Sequence, residues 1–490
     1  KERATASPLG LIMAKASTLA AVVFAAVLLI LITEATTSVM KKLIQAYHVK
    51  LSYQAMLNSE SGLLGRAEEY LNVIFYTPWW LVVPFGALLL LAGIVMARLI
   101  NANKFSLNGM YRERLIRAYL GASNSDRKEN PFTGFDENDN IKMRDLWLQE
   151  KFHGKLMPVI NIALNLVSGE KLGWQERKAQ SFTVSPLHCG SSAMHPGYRS
   201  TVGADGTVYG GSEGISLGSA ITISGAAASP NMGYHSSPFV TFILTLLNVR
   251  LGAWLGNPGQ AGDHTFQLGY PGSSVQPIIG EALGLTNDKS RYVYLSDGGH
   301  FENLGLYEMV LRRCHFIVIS DAGEDPQCSF ADLGESVRKI RVDFGIPIDF
   351  DQMNIYPRSQ IETAKKPGHN CAIGRIRYSA VDGPNAPDGI IVYIKPACYG
   401  DEPRDIYEYF KRSETFPHES TADQFFSESQ FESYRMLGAY TMQKLCADGD
   451  GDFRRFTSGI LKTHLQVQTP DWLAALIQMP PADRDRPGPA

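Results

Sequence analysis

The stretch Tyr292–Ser320, YVYLSDGGHFENLGLYEMVLRRCHFIVIS, decides how this chain is read. Tyr292 to Ser296 is an apolar run of strand length. Asp297, Gly298 and Gly299 break it with a turn. Phe301 to Arg313 then has helical spacing, with Leu304, Tyr307, Met309 and Val310 available for a core face. His315 to Ser320 is a second apolar strand. Strand, turn, helix, strand is the βαβ signature and predicts a parallel sheet flanked by helices, an α/β fold. Asp297 stands where the first strand ends, and open α/β sheets bind ligands at the carboxyl ends of strands. The glycines after it permit a tight turn and the approach of another group. Spacing leaves two roles open to Asp297: a carboxylate in a site, or a helix N-cap accepting backbone N–H bonds.

The flanks continue the pattern. Upstream, Leu156 to Val167, LMPVINIALNLV, reads as a strand, and Ser181 to Val184 as a short one. Thr201 to Gly214 is Gly-rich and turn-prone. Ser219 to Ser229 is a run of small residues, and Pro238 to Trp254 contains an apolar helix. Downstream, Leu333 to Val342 and Phe425 to Cys446 read as helices, and Cys371 to Tyr378 and Gly389 to Lys395 as strands. Pro480 to Ala490 is proline-rich and expected to be disordered.

Composition is that of a folded protein, 44% hydrophobic and 19% charged over 490 residues, enough for two or three domains. The net charge of −3 comes without a basic block, which argues against nucleic acid as a partner. The six cysteines are scattered and form no C-x-x-C pair. That disfavours a zinc site or disulfide framework and fits a reducing compartment. His300 and Glu302 lack the clustered partners of a metal centre. No metal and no cofactor is expected.

Two segments suit a bilayer. Ala16 to Thr33, ASTLAAVVFAAVLLILIT, is uncharged. Val73 to Ile100 carries only Arg98, near its end, and opens with Phe75, Tyr76, Trp79 and Trp80, rings of the kind that settle at headgroup level. Pro78 and Pro84 would kink or delay its first turns. Residues 1–100 are thus expected to form a transmembrane hairpin with spans at about 16–33 and 73–100. Lys1, Arg3 and Lys15 precede the first span, and Arg98, Lys104, Arg112, Arg114 and Arg117 follow the second. This bias puts both ends and the large domain in the cytoplasm. Residues 101–150 divide into Lys104 to Gly121, either an interfacial amphipathic helix or a soluble helix with a basic face, and a polar linker.

Asp297-Gly298-Gly299 after an apolar strand resembles the D-G-[AG] motif of patatin-like phospholipases. Two further segments match in order. The strand ending at Asn165 and Gly169, followed by Phe182, resembles the strand and hairpin after that family's nucleophile helix. Ile221 to Met232, ITISGAAASPNM, resembles its small-residue helix. Longer stretches, YLSDGGHFENLGLYE and FPHESTADQFFSESQFESYR, are similar to a bacterial branch with membrane segments. The resemblance runs over roughly Leu156 to Gly438. It implies a patatin-like sheet in 151–400, a helical region in 401–490, and a membrane-anchored lipid acyl hydrolase of the bacterial inner membrane acting on membrane lipids. It also implies a Ser–Asp dyad with Asp297 as the base, and an acyl pocket at Ser224, Gly225, Ala226, Ala227 and Pro230. The alternative is a membrane-tethered scaffold that keeps the fold without the serine.

A literal G-x-S-x-G occurs at Gly214-Ile215-Ser216-Leu217-Gly218. An elbow needs a buried strand before it, and Thr207 to Glu213 offers only two apolar residues. Ser216 also directly precedes the small-residue helix, leaving no room for an elbow helix and a further strand. A helix cap is therefore the favoured reading of Ser216. The motif order places the nucleophile and oxyanion loop upstream of Lys1. Asp321, in SDAGED, is expected on the same sheet edge as Asp297, most simply as a strand end. Arg250 is open to a lipid headgroup or an internal partner. His418 has no serine partner that spacing identifies, and Cys314 reads as a buried apolar residue.

Overall fold

A computed structural model describes residues 8–47, 73, 75, 77–122, 124–152, 155–169, 172–203, 207–233, 236, 238–364, 368–420, 423, 426–446 and 452–478. The chain divides into two compact units, Lys1–His300 and Phe301–Ala490.

The first unit is built on a six-stranded antiparallel sheet. Its strands are β1 (Ile160–Asn165), β2 (Ala179–Val184), β3 (His188–Gly190), β4 (Tyr198–Ser200), β5 (Ala253–Gly256) and β6 (Tyr292–Ser296). Their order is β4-β3-β2-β1-β6-β5. β6 lies between β1 and β5 and runs antiparallel to both, with Ala163 opposite Ser296 and Trp254 opposite Tyr294. Ile162, Leu164, Phe182, Val184, Val293 and Leu295 form its core with Ala220 and Ile223 of the helix Leu217–Ser224.

The second unit holds β7 (Phe316–Ser320), β8 (Ile348–Phe350), β9 (Cys371–Ile376) and β10 (Gly389–Ile394), in the order β7-β10-β9-β8. β10 is parallel to β7, antiparallel to β9, and buried along its whole length. The helix Ala331–Phe344 packs on Leu306–Leu311, where Tyr307 Oη donates to Asp343 Oδ2 at 2.8 Å. The helix Glu428–Leu445 starts at a capping box in which Ser427 and Gln430 each satisfy the other's backbone N–H.

The βαβ expectation is corrected here. β6 and β7 belong to different sheets, so the helix between them is not a crossover and Asp321 does not share a sheet edge with Asp297. Both edges of β6 are already occupied, by β1 and β5, leaving no place for β7 beside it. The sequence signal misled because β6 is covered on both faces. A doubly covered strand loses the in–out alternation of an exposed antiparallel sheet and reads like a parallel one.

The segment Pro238 to Trp254 is also divided. Its helix ends at Leu246, and Trp254 lies in β5. Lys104 to Gly121 is helical, as Leu107–Leu115 continued by a π-helical stretch Ile116–Gly121, with Asn108 and Ile116 buried. Gly210, Gly211 and Gly214 adopt φ of +84°, +124° and +79°, left-handed values that only glycine takes without strain.

Among the described residues one helix, Trp79–Leu99, is long and apolar enough to cross a membrane, and 6% of it is buried. The sequence predicts two spans, at about 16–33 and 73–100. The first, Ala16 to Thr33, lies within the helix Pro8–Ala46, many of whose side chains fall outside the described residues. Met40 and Ile44 of that helix cluster with Leu81. Lys1, Arg3 and the tail from Pro480 lie outside the described residues.

Candidate active site

β6 ends at Ser296, and Asp297 leads into a 3-10 turn, Gly298–His300. The Gly299 N–H donates to Asp297 Oδ1 at 2.8 Å, and the His300 N–H to the Asp297 carbonyl at 3.0 Å. A Cβ at position 298 would sit 2.8 Å from the Asn161 carbonyl oxygen, so the turn closes against β1 only because residue 298 is glycine. The Asp297 carboxylate is half-buried, and Oδ2 has no hydrogen-bond partner among the described residues. Burial raises its pKa above the usual aspartate value, and the Gly299 N–H offsets part of that rise.

Two helices also converge on this turn. Tyr111, from the helix Leu107–Leu115, lies close enough for the Asp297 charge to act on its phenol. Burial first, then that charge, raises the Tyr111 pKa. The helix is held by Ser106 at its N-cap and by Asn108, whose Nδ2 donates to the Leu251 carbonyl at 2.5 Å. Ser224 Oγ donates at 2.7 Å to the same Asn161 carbonyl that Gly298 approaches. Gly225 follows, where a Cβ would stand 2.9 Å from Tyr111 Oη. Small residues thus end the Leu217–Ser224 helix where Tyr111 and the Asp297 turn need room.

The remaining pocket candidates are anchored differently. Ala226 is buried, Ala227 is exposed, and Pro230 is buried with its carbonyl accepting from Thr241 Oγ1 at 2.7 Å. The structure therefore brings Ser224 and Gly225 to Asp297, whereas Pro230 ties down the helix Pro238–Leu246.

A buried polar chain supports the turn. The Gly233 N–H donates to Asn165 Oδ1 at 3.1 Å, and Asn165 Nδ2 donates to Ser296 Oγ at 2.7 Å. Ser296 Oγ lies 2.8 Å from His300 Nδ1. Asn165 and Ser296 are fully buried. In the sequence Asn165 marks only a strand end, His300 only a metal-ligand candidate without clustered partners, and Tyr111 nothing at this site. The signal that marks Asn165 is a polar amide closing an otherwise apolar run, since buried amides need partners.

No family model and no curated protein matches this chain.

Ser216 is the N-cap of the Leu217–Ser224 helix. Its Oγ accepts the Ser219 N–H at 3.1 Å and donates to Ser219 Oγ at 2.9 Å. It is 5% exposed and borders a cavity of about 220 Å³ whose described lining includes no Asp, Glu or His. Both roles of the hydroxyl, acceptor and donor, are thus taken up by Ser219. Among the described residues, no group of three or more His, Cys, Asp and Glu side chains is placed to hold a metal ion. Glu302 accepts from Ser336 Oγ at 2.6 Å and from the Leu304 N–H at 2.7 Å. Cys314 is half-buried with its thiol pKa raised by burial. His418 is buried with Nδ1 unpartnered among the described residues, and burial lowers its pKa.

Proposed function

We propose that this chain carries the base of a membrane-associated lipid acyl hydrolase, with Asp297 in that role. The observation behind this reading is the state of the Asp297 carboxylate. It stands at a strand end, half out of water, with one oxygen unpaired among the described residues. Burial moves its pKa toward the range where a carboxylate can accept a proton at neutral pH. The ordered resemblance of residues 156–438 to patatin-like phospholipases supports the same reading, as does the apolar helix Trp79–Leu99.

In this scheme Asp297 removes the proton of a serine hydroxyl supplied from upstream sequence, as the motif order implies. The serine oxygen bonds to the ester carbonyl carbon of a membrane lipid. The alcohol then leaves with the proton held by Asp297, and water hydrolyses the acyl-serine by the same route. The large domain lies on the cytoplasmic face of the membrane. Full-length protein should cleave fluorogenic acyl esters, and Asp297→Asn should not. Inactivity of the wild type, or full activity of the variant, rejects the scheme.

The capping role of Ser216 favours a second reading, a membrane-tethered scaffold with a degenerate hydrolase domain. A fluorophosphonate probe separates the two. Labelling of a serine in the full-length protein supports the enzyme, and no labelling supports the scaffold.

A further inference from the structure

The cavity of about 220 Å³ beside Ser216 lies in the first unit, and none of Asp297, Tyr111, Ser224 and Gly225 lines it. Residues 101–112 supply one wall and residues 140–142 and 210–219 another, with Ala253 and Leu255 of β5 between them in the lining. Asn103 fixes the first wall to the sheet. Its Oδ1 accepts the Trp254 N–H and its Nδ2 donates to the Trp254 carbonyl, both at 2.9 Å. β5 is an edge strand, so this side-chain amide stands in for a neighbouring strand.

Charge sets this lining apart. Lys104, Arg112 and Lys142 belong to it, and no Asp or Glu does among the described residues. Two of the three cations have acid partners outside the lining. Glu113 Oε1 takes Arg112 Nε at 3.2 Å and Nη2 at 2.7 Å, and Glu213 Oε2 stands 3.0 Å from Lys142 Nζ. These acids are 41% and 68% exposed, and pairs so open to water are worth little and exchange readily. Lys104 is exposed with no ion-pair partner, and Arg112 Nη1 has no hydrogen-bond partner, among the described residues.

Uncharged donors add to them. Asn101 Oδ1 accepts the Asn103 N–H at 2.9 Å and the Lys104 N–H at 3.2 Å. Asn140 Oδ1 accepts the Gly218 N–H at 3.2 Å. A side-chain amide is planar, so fixing its oxygen also fixes its nitrogen, and neither Nδ2 has a partner among the described residues. Ser219 Oγ accepts from Ser216 and keeps its own proton to donate. The helix Leu217–Ser224 offers no free amide here. The Leu217, Gly218 and Ser219 N–H groups are taken by the Ile141 carbonyl, Asn140 Oδ1 and Ser216 Oγ. Recognition therefore falls on side chains rather than on the helix end.

Positive charge, donors from separate walls and a lining without acids suit an anion with several oxygens. The volume lies below the roughly 300–1,000 Å³ of drug-sized sites, so it admits one small group. Phosphate offers more acceptor oxygens than a carboxylate, and the free edge of a guanidinium matches it.

We infer that this cavity binds a phosphate group, carried by an anionic lipid or by a small soluble phosphate. Asn101 follows the helix Trp79–Leu99 by two residues, which brings a lipid headgroup within reach of the site. The inference depends neither on hydrolysis at Asp297 nor on the membrane reading.

The test uses the full-length protein in dodecyl maltoside, a detergent without phosphate. Radiolabelled orthophosphate is titrated by equilibrium dialysis at constant ionic strength. Saturable binding to one site per chain is expected, and acetate at equal concentration should not displace it. Arg112→Lys keeps the charge but loses the planar fork, and should weaken binding about tenfold. Lys104→Gln combined with Arg112→Gln should abolish binding with the denaturant midpoint of the wild type. Glu113→Gln, which releases the guanidinium, should tighten it. Competition then separates the two sources. Displacement by short-chain phosphatidylglycerol at lower concentration than by glycerol phosphate supports the site as a lipid headgroup site. Displacement by glycerol phosphate at equal or lower concentration supports it as a site for soluble phosphates. No saturable binding, equal displacement by acetate, or wild-type affinity in Arg112→Lys or in the double variant overturns the inference.

Discussion

At the ends of two apolar strands the chain carries nearly the same wording: Leu295-Ser296-Asp297-Gly298-Gly299 after β6, and Ile319-Ser320-Asp321-Ala322-Gly323 after β7. Each aspartate accepts a backbone N–H from the residue two positions on, Gly299 at 2.8 Å and Gly323 at 2.9 Å. There the likeness stops. Asp321 is 3% exposed and fully engaged. Tyr393 Oη donates to its Oδ2 at 2.5 Å, and Lys395 Nζ stands 3.1 Å from the same oxygen. Among the described residues Asp297 has no ion-pair partner and keeps an oxygen without a hydrogen bond.

Strand direction explains the difference. β10 runs parallel to β7, with Tyr393 opposite Ile319 and Ile394 opposite Ser320, so the chain continues past β10 on the same side as Asp321 and delivers Lys395. The neighbours of β6 run the other way. Beside Asp297 lies the beginning of β1, with apolar Ile162 and the carbonyl of Asn161. One aspartate is locked into the core, and the other is half-buried with one oxygen unpaired among the described residues.

The comparison can be broken most directly at Asp297. Asp297→Asn should lower acyl ester turnover by roughly 10²–10⁴-fold, the usual contribution of a positioned general base, with folding intact. Turnover at wild-type rates would erase the functional half of the contrast. Asp321→Ala should have no such selectivity. It leaves Lys395 buried without its counter-charge and should destabilise the protein by about 3–5 kcal/mol in denaturant unfolding. Replacing both partners, Asp321→Leu with Lys395→Met, should recover much of that loss. Equal stability of Asp321→Ala and wild type would show that Asp321 is not locked.

Ser216→Ala sharpens the assignment at smaller scale. It should cost about 1 kcal/mol of stability, as loss of a helix cap does, and leave ester turnover unchanged. Loss of turnover would move the nucleophile to Ser216.

The smallest effect is a pH dependence. The Asp297 pKa is raised from its ordinary value of 3.8. A raised acid binds its proton more tightly in the folded state, so the associated stability is complete below the unfolded pKa and is lost as pH rises through the folded one. Asp297→Asn cannot ionise. Its stability relative to wild type should therefore rise with pH across that window and then level off. A relative stability that falls across the window would contradict the burial of the carboxylate.

Much of this was legible in the residues. Apolar runs located β1, β6, β7, β9 and β10, whereas the small-residue helix expected over Ile221 to Met232 ends at Ser224, beyond which the chain is not helical. The absence of a strand before Ser216 favoured its capping role, which the hydrogen bonds show. What could not be read was pairing. Spacing leaves Arg250 open to a headgroup or an internal partner, and in the structure Glu281, 31 residues away, takes it. Tyr111 lies far from Asp297 in sequence and carries no motif.

Local wording determined which segments are strands and that an aspartate ends each of two of them. It also determined that a stretch near the N-terminus is apolar enough for a bilayer. Tertiary structure alone decided which strands are neighbours and in which direction they run. Hydrophobic burial is non-directional, so an apolar run records that it will be covered but not by what. The partner of each buried polar group therefore follows from the register of strands distant in sequence.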